Sequence, residues 1–161
     1  MRQTYRVLAW LIALGVVVQA AAIALGWFTA LHDVDNGLVI DKNYEGNAGH
    51  ALHGIVGMYA IPVLGLVFLI VSFAAAKAVP RGRTWAAIVF VAILVQVALA
   101  FLAFGLPAIG ALHGLNALIV FGAAVRAALS GFPARSGEHD GVPVLRVDAR
   151  DAAARRAGAA R

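Results

Sequence analysis

The sequence predicts an all-α membrane protein: a four-helix antiparallel transmembrane bundle built from two repeated helix pairs, with both termini cytoplasmic. Three observations predict it. The 161 residues are 62% hydrophobic, more apolar material than a soluble domain of this size needs. That material falls in four runs, residues 7–31, 49–76, 85–106 and 108–125, none of which contains Asp, Glu, Lys or Arg. Each run is long enough to cross a hydrocarbon core of about 30 Å as a helix rising 1.5 Å per residue. The charges between the runs then sort by side. Arg2 and Arg6 precede the first run, Lys77, Arg81 and Arg83 lie between the second and third, and seven arginines from Arg126 to Arg161 follow the fourth, whereas Asp33, Asp35, Asp41 and Glu45 outnumber Lys42 in the first connection. A basic excess of this kind marks cytoplasmic segments. The net charge of +5 is therefore mainly a topology signal.

The first run is too long for the apolar core of a signal peptide, and no small-x-small cleavage site follows it, so it reads as a retained span. The connection after it, about residues 32–48, carries the turn signals Asn36-Gly37 and Glu45-Gly46-Asn47. The second run contains Pro62, which should kink the helix and free a carbonyl for neighbouring helices to satisfy. Pro80 and Gly82 sit in a short inner loop. The third and fourth runs are joined by a tight turn at Gly105-Leu106-Pro107, which makes them adjacent helices, and Pro107 suits a helix start because its missing N–H costs nothing there. Residues 1–129 thus form one transmembrane domain. From residue 130 the composition turns to Gly, Pro, Arg and Asp, which reads as a flexible Arg-rich cytoplasmic tail, 130–161. The Ala- and Arg-rich usage suggests a bacterial plasma membrane as the location.

The chain also repeats itself. Residues 50–60 read HALHGIVGMYA and residues 110–120 read GALHGLNALIV; Val18-Gln19 in the first run matches Val95-Gln96 in the third. Helices one and two therefore correspond to helices three and four, in the sense of a parallel repeat about an axis along the membrane normal. The repeat places His53 and His113 at matched depth, roughly 7–10 Å inside the outer ends of helices two and four. Ionisable groups within a span are costly and mark a functional site by default.

Two imidazoles suit a metal, and the choice of metal follows from what else is missing. The spans contain no Cys, Asp or Glu to complete a tetrahedral zinc site. Haem needs only two axial ligands from the protein and otherwise offers a wide apolar plane. Gly54, Gly57, Gly114 and Ala117 beside the histidines would admit a porphyrin face, although small residues also serve helix packing. His50 lies one turn before His53 on the same face and could be an alternative ligand, a propionate partner or an interfacial histidine. Asn116 lies one turn beyond His113 and could orient the imidazole or bridge helices. Gln19 and Gln96 near mid-span read as interhelical hydrogen bonders or as contacts to haem or quinone. His32, at a boundary, and His139, in the tail, support no assignment. The segment Asp33-Val34-Asp35-Asn36-Gly37 has the opening of a calcium loop but not its closing Glu.

Four spans with one histidine near the outer end of helix two and another near that of helix four, about sixty residues on, resemble one four-helix half of heme A synthase. More loosely, the chain is similar to bacterial four-helix b-type cytochromes. The resemblance covers residues 7–125 and implies His53 and His113 as axial ligands of a haem. Where the catalytic half of that family carries a glutamate and an arginine around its first histidine, this chain has His50 and Gly54. The oxygenation chemistry is therefore not implied.

The expectation is a haem-binding membrane protein, with haem b near the outer face between helices two and four. With both axial positions filled it would transfer electrons rather than activate oxygen, exchanging them with a quinone or a membrane redox partner. The competing expectation is a non-catalytic small membrane subunit or assembly factor whose histidines bond between helices. A homo-oligomer or a subunit of a larger membrane complex fits either. A transporter has less behind it, since no span carries a carboxylate. Phosphate loops, nucleophile elbows and zinc motifs are absent, and the tail's arginines lack the interleaved aromatics of a nucleic-acid binder.

Overall fold

A computed structural model describes residues 1–131. The expected tail falls outside the described residues apart from Ser130 and Gly131. The described chain is all-helical. It comprises α1 (Arg2–Asp35), α2 (Ala48–Ala74), α3 (Gly82–Gly105) and α4 (Ile109–Ser130), with no strand among the described residues. All four helices are long and apolar enough to span a membrane. Their outer faces are strongly apolar, with Phe28 74% and Phe104 87% exposed, as surfaces meeting lipid rather than water would be.

α1 continues past its uncharged run at both ends, α3 at its start and α4 at its end, whereas α2 stops at Ala74, two residues inside its run. α1 has 34 residues, about 51 Å at 1.5 Å each, so it extends beyond a hydrocarbon core into its flanking Arg2 and Arg6 at one end and Asp33 and Asp35 at the other. It stops where the Asn36 amide bonds back to the His32 carbonyl at 2.9 Å and Gly37 takes a φ of +101°. Gly37 and Gly46, at φ +84°, are the positive-φ glycines of the connection, as the turn signals required.

α2 begins at a side-chain cap. Asn47 Oδ1 accepts from the backbone N–H of Gly49 at 3.0 Å and of His50 at 3.4 Å, and the Asn47 N–H donates to His50 Nδ1 at 3.3 Å. This is a capping box with imidazole in the place of the usual carboxylate. The same Asn47 side chain donates to the Gly26 carbonyl at 2.7 Å, so the cap also fixes α2 against α1. Further along, the helix widens into a π-turn at Val56–Ala60, where the Ile61 N–H reaches back five residues to Val56 O. Pro62 follows at once. It has no N–H to give, and its ring crowds the carbonyl four residues earlier. The expected distortion at Pro62 is thus taken up by a wide turn placed just before it, between His53 and the proline.

α3 begins at Gly82 after Arg81, which adopts a left-handed φ of 58°. α4 starts at Ile109 with Ala108 as its cap, so Pro107 precedes the helix rather than opening it. The Pro107 carbonyl accepts from Gly110 N at 2.9 Å within the turn that leads in.

Consecutive helices pack side by side, and α1 closes the ring on α4, leaving α2 and α4 on a diagonal. The hydrophobic core is confined to one end. It gathers Tyr5, Ala9 and Ile12 of α1, Phe68 of α2, Val89 and Ile93 of α3, and Val120 and Ala124 of α4. Tyr5 anchors this end: its hydroxyl donates to Gly82 O at 3.0 Å and its ring lies 4.7 Å from that of Phe68. Arg126 stacks over Trp85 at 5.2 Å nearby. At the other end the helices approach through small residues. A methyl group built on Gly49 would run into the Gly26 backbone, so α1 and α2 touch there main chain to main chain.

Candidate functional site

Beyond the reach of that core, the space between the helices is lined by polar side chains. Gln19 projects from α1, His53 from α2, Gln96 from α3, and His113 and Asn116 from α4. All are partly buried, and Asn116 is only 8% exposed.

The repeat is structural as well as textual. His53 Nδ1 lies 3.1 Å from the backbone carbonyl of Gln19, and His113 Nδ1 lies 3.1 Å from the backbone carbonyl of Gln96. The same bond is made twice, by corresponding residues, each time between a histidine helix and the helix that precedes it. A carbonyl can only accept, so each Nδ1 is the protonated nitrogen and in the neutral ring each Nε2 carries the free lone pair. That is the tautomer of a histidine that binds metal through Nε2 while its other nitrogen is held by a second-shell carbonyl.

The two rings meet across the α2–α4 diagonal, with centroids 6.3 Å apart and planes inclined by 62°. A metal–imidazole bond is about 2.0–2.1 Å and a ring nitrogen lies about 1.1 Å from its ring centre, so two imidazoles binding one ion from opposite sides have centres about 6.3 Å apart. No group of three or more His, Cys, Asp or Glu residues gathers among the described residues, and the histidine pair has no third such side chain beside it. A pair of imidazoles is what an axially ligated haem takes from the protein. Gly54 and Gly114, each next to a histidine, have nothing within 4 Å of the place a Cβ would occupy. The donor chemistry and the tautomers fit the haem group, and Gly54 and Gly114 lie on exposed faces beside the pair.

Not every candidate joins the pair. His50 serves the α2 cap, packs edge-on against Trp27 at 5.1 Å and Tyr44 at 6.1 Å, and accepts a backbone N–H at Nδ1. Its Nε2 therefore holds the proton, which suits a donor to a carboxylate and not a metal ligand. Gly57 lies against Gln19, whose Oε1 would be 2.7 Å from an added Cβ. The apolar concavity lined by Ala87, Ile88, Val91 and Ala92 involves neither histidine.

Two features escape a sequence reading. One is Asn47, whose position before an apolar run is a cap signal. The other is the source of the histidine acceptors: Gln19 and Gln96 contribute main-chain carbonyls, which no side-chain motif reveals. The glutamine amides differ between the halves. Gln96 Nε2 donates to His113 O at 2.9 Å, and Asn116 Nδ2 donates to Gln96 Oε1 at 2.7 Å and to Ala92 O at 2.9 Å. Gln19 Nε2 is buried without a hydrogen-bond partner. No protein-family model, curated protein or solved structure matches the chain.

Proposed function

We propose that this chain is an integral membrane haem-binding protein of the bacterial plasma membrane, with haem b held between His53 and His113 near the outer face. The observation that carries the reading is the duplicated arrangement of the histidines: the same carbonyl contact at Nδ1, which leaves Nε2 of each ring free, on two rings whose centroids lie 6.3 Å apart. Bound there, a haem would supply one-electron redox chemistry, which suits electron transfer to or from a quinone or a membrane redox partner. His53 and His113 would hold it through Nε2. The carbonyls of Gln19 and Gln96 hold the rings in orientation and raise their basicity. Gly54 and Gly114 admit the porphyrin edge, Asn116 steadies Gln96, and His50 offers an Nε2–H to a propionate.

The proposed orientation is antiparallel, with both termini cytoplasmic. It is supported by the Arg2 guanidinium, which bonds the Ala78 carbonyl of the α2–α3 connection at 3.1 Å, and by the basic residues gathered at that end. The exposed apolar faces suit lipid, a second copy of the chain or a larger membrane complex.

An edge-to-face aromatic pair falls in the same distance range as the two rings. A non-catalytic subunit whose histidines only join helices would therefore use the same contacts. Visible spectra of the detergent-purified protein, expressed with ample haem and taken before and after dithionite, separate the two. Sharp low-spin bands in the wild type that are lost or converted in His53→Ala and His113→Ala support the haem reading. A colourless, folded, monodisperse wild type refutes it and leaves the structural subunit.

A further inference from the structure

The two histidines are not held equally. We propose that His53 is the exchangeable ligand: a small neutral diatomic molecule such as carbon monoxide replaces His53, and not His113, on the ferrous haem. This rests on the haem reading above.

Around His113 a closed set of bonds locks the ring. Its Nδ1–H donates to Gln96 O, the Gln96 amide donates back to His113 O, and Asn116 ties the Gln96 side chain to Ala92 O. To move His113 is to disturb α3 and α4 together. Around His53 only the first of these bonds forms among the described residues, Nδ1–H to Gln19 O. The position that matches Asn116 is Val56, which has no polar group to offer. Gln19 is left with a buried Nε2 that has no partner, and its Oε1 abuts Gly57. The π-turn also begins at Val56, three residues after His53. Such turns interrupt the regular α-helical ladder and recur at functional sites. His53 thus stands on the loosely tied side of the pair. In the exchange the iron–Nε2 bond to His53 breaks and an iron–carbon bond forms; no electron is transferred, and the freed ring keeps its Nδ1–H bond to Gln19 O.

The test is a carbon monoxide titration of the dithionite-reduced, haem-loaded protein followed by its visible spectrum, on the wild type and four variants. The wild type should convert to a carbon monoxide complex. His53→Ala should keep its haem in a high-spin form, and His113→Ala should lose most of it. Val56→Asn gives Gln19 the amide that Gln96 already has, and should raise the half-saturating carbon monoxide concentration about fivefold, the worth of one net hydrogen bond. Asn116→Val should loosen His113 and abolish the difference between the halves. If His53→Ala does not fold, the wild-type and Val56→Asn titrations decide alone. A wild type unchanged at saturating carbon monoxide, an unaltered half-saturation in Val56→Asn, or haem kept in His113→Ala and lost in His53→Ala overturns the proposal while leaving a haem protein. A wild type without low-spin haem overturns the haem reading itself.

Discussion

Replacing Gly49 with alanine should separate α1 from α2 and weaken the histidine site from a distance. The ideal Cβ of residue 49 falls on the Gly26 main chain, 2.6 Å from Gly26 Cα and 2.7 Å from Ala22 O. Carbon atoms rest at about 3.5–4.0 Å, so the helices must part by about 1 Å. Both obstacles are backbone and cannot rotate aside. Overpacking of this kind costs about 1–3 kcal/mol. The parting also stretches the Asn47–Gly26 bond, now 2.7 Å, and the His53–Gln19 bond, now 3.1 Å, toward the limit of hydrogen bonding. Loss of one such bond adds about 1 kcal/mol. Alanine recovers about 1 kcal/mol of helix propensity over glycine. The control is Gly54→Ala, whose Cβ meets nothing within 4 Å and which enjoys the same propensity gain. The two variants should therefore differ by about 2–4 kcal/mol, the sum of the overpacking and the lost bond. Reversible unfolding in mixed detergent–SDS micelles, followed by circular dichroism, measures this directly. Equal stability of Gly49→Ala and Gly54→Ala would refute the main-chain contact as the feature that sets the α1–α2 crossing.

Three further outcomes are expected. Tyr5→Phe removes the second donor to the Gly82 carbonyl, which keeps the backbone donor of its own helix, and should cost about 1 kcal/mol, the net worth of one hydrogen bond, in the same unfolding titration. Asn116→Leu removes two interhelical bonds and should cost about 1–3 kcal/mol, given roughly 0.6 kcal/mol for an average bond in a bilayer and more where a buried acceptor is abandoned; Asn43→Ala, in the exposed connection, should be neutral by the same measurement. The chain has no cysteine, so single cysteines report topology cleanly. An impermeant maleimide should label Asn43→Cys in intact cells and Arg83→Cys only after lysis, and the reverse pattern would invert the proposed orientation.

What the sequence determined by itself is the helical, membrane-suited architecture and the pair of histidines within it. The reason is energetic. In a bilayer an unbonded backbone group costs several kcal/mol, so long uncharged runs have little choice but helix. A histidine within such a run is costly enough to stand out. The repeat of His with Gln was legible for the same reason, since few polar letters occur within the four apolar runs. The helix ends were less legible, because Arg2, Asp33 and Ser130 continue a helix past the apolar run that defines a span.

Tertiary structure alone decided how the site is tied. Which carbonyl receives each imidazole depends on the offset between neighbouring helices; for His53 the Gly26–Gly49 contact and the Asn47 cap fix that offset between α1 and α2, and no motif at the histidine does. The same holds for the inequality of the two halves. The letters Val56 and Asn116 are plain in the sequence, but only the fold shows that Asn116 reaches both Gln96 and Ala92 while the Gln19 amide is buried with nothing to bond. A single sequence records which groups can form hydrogen bonds; which of them do so depends on distances of a few tenths of an ångström between helices, and those exist only once the helices have packed.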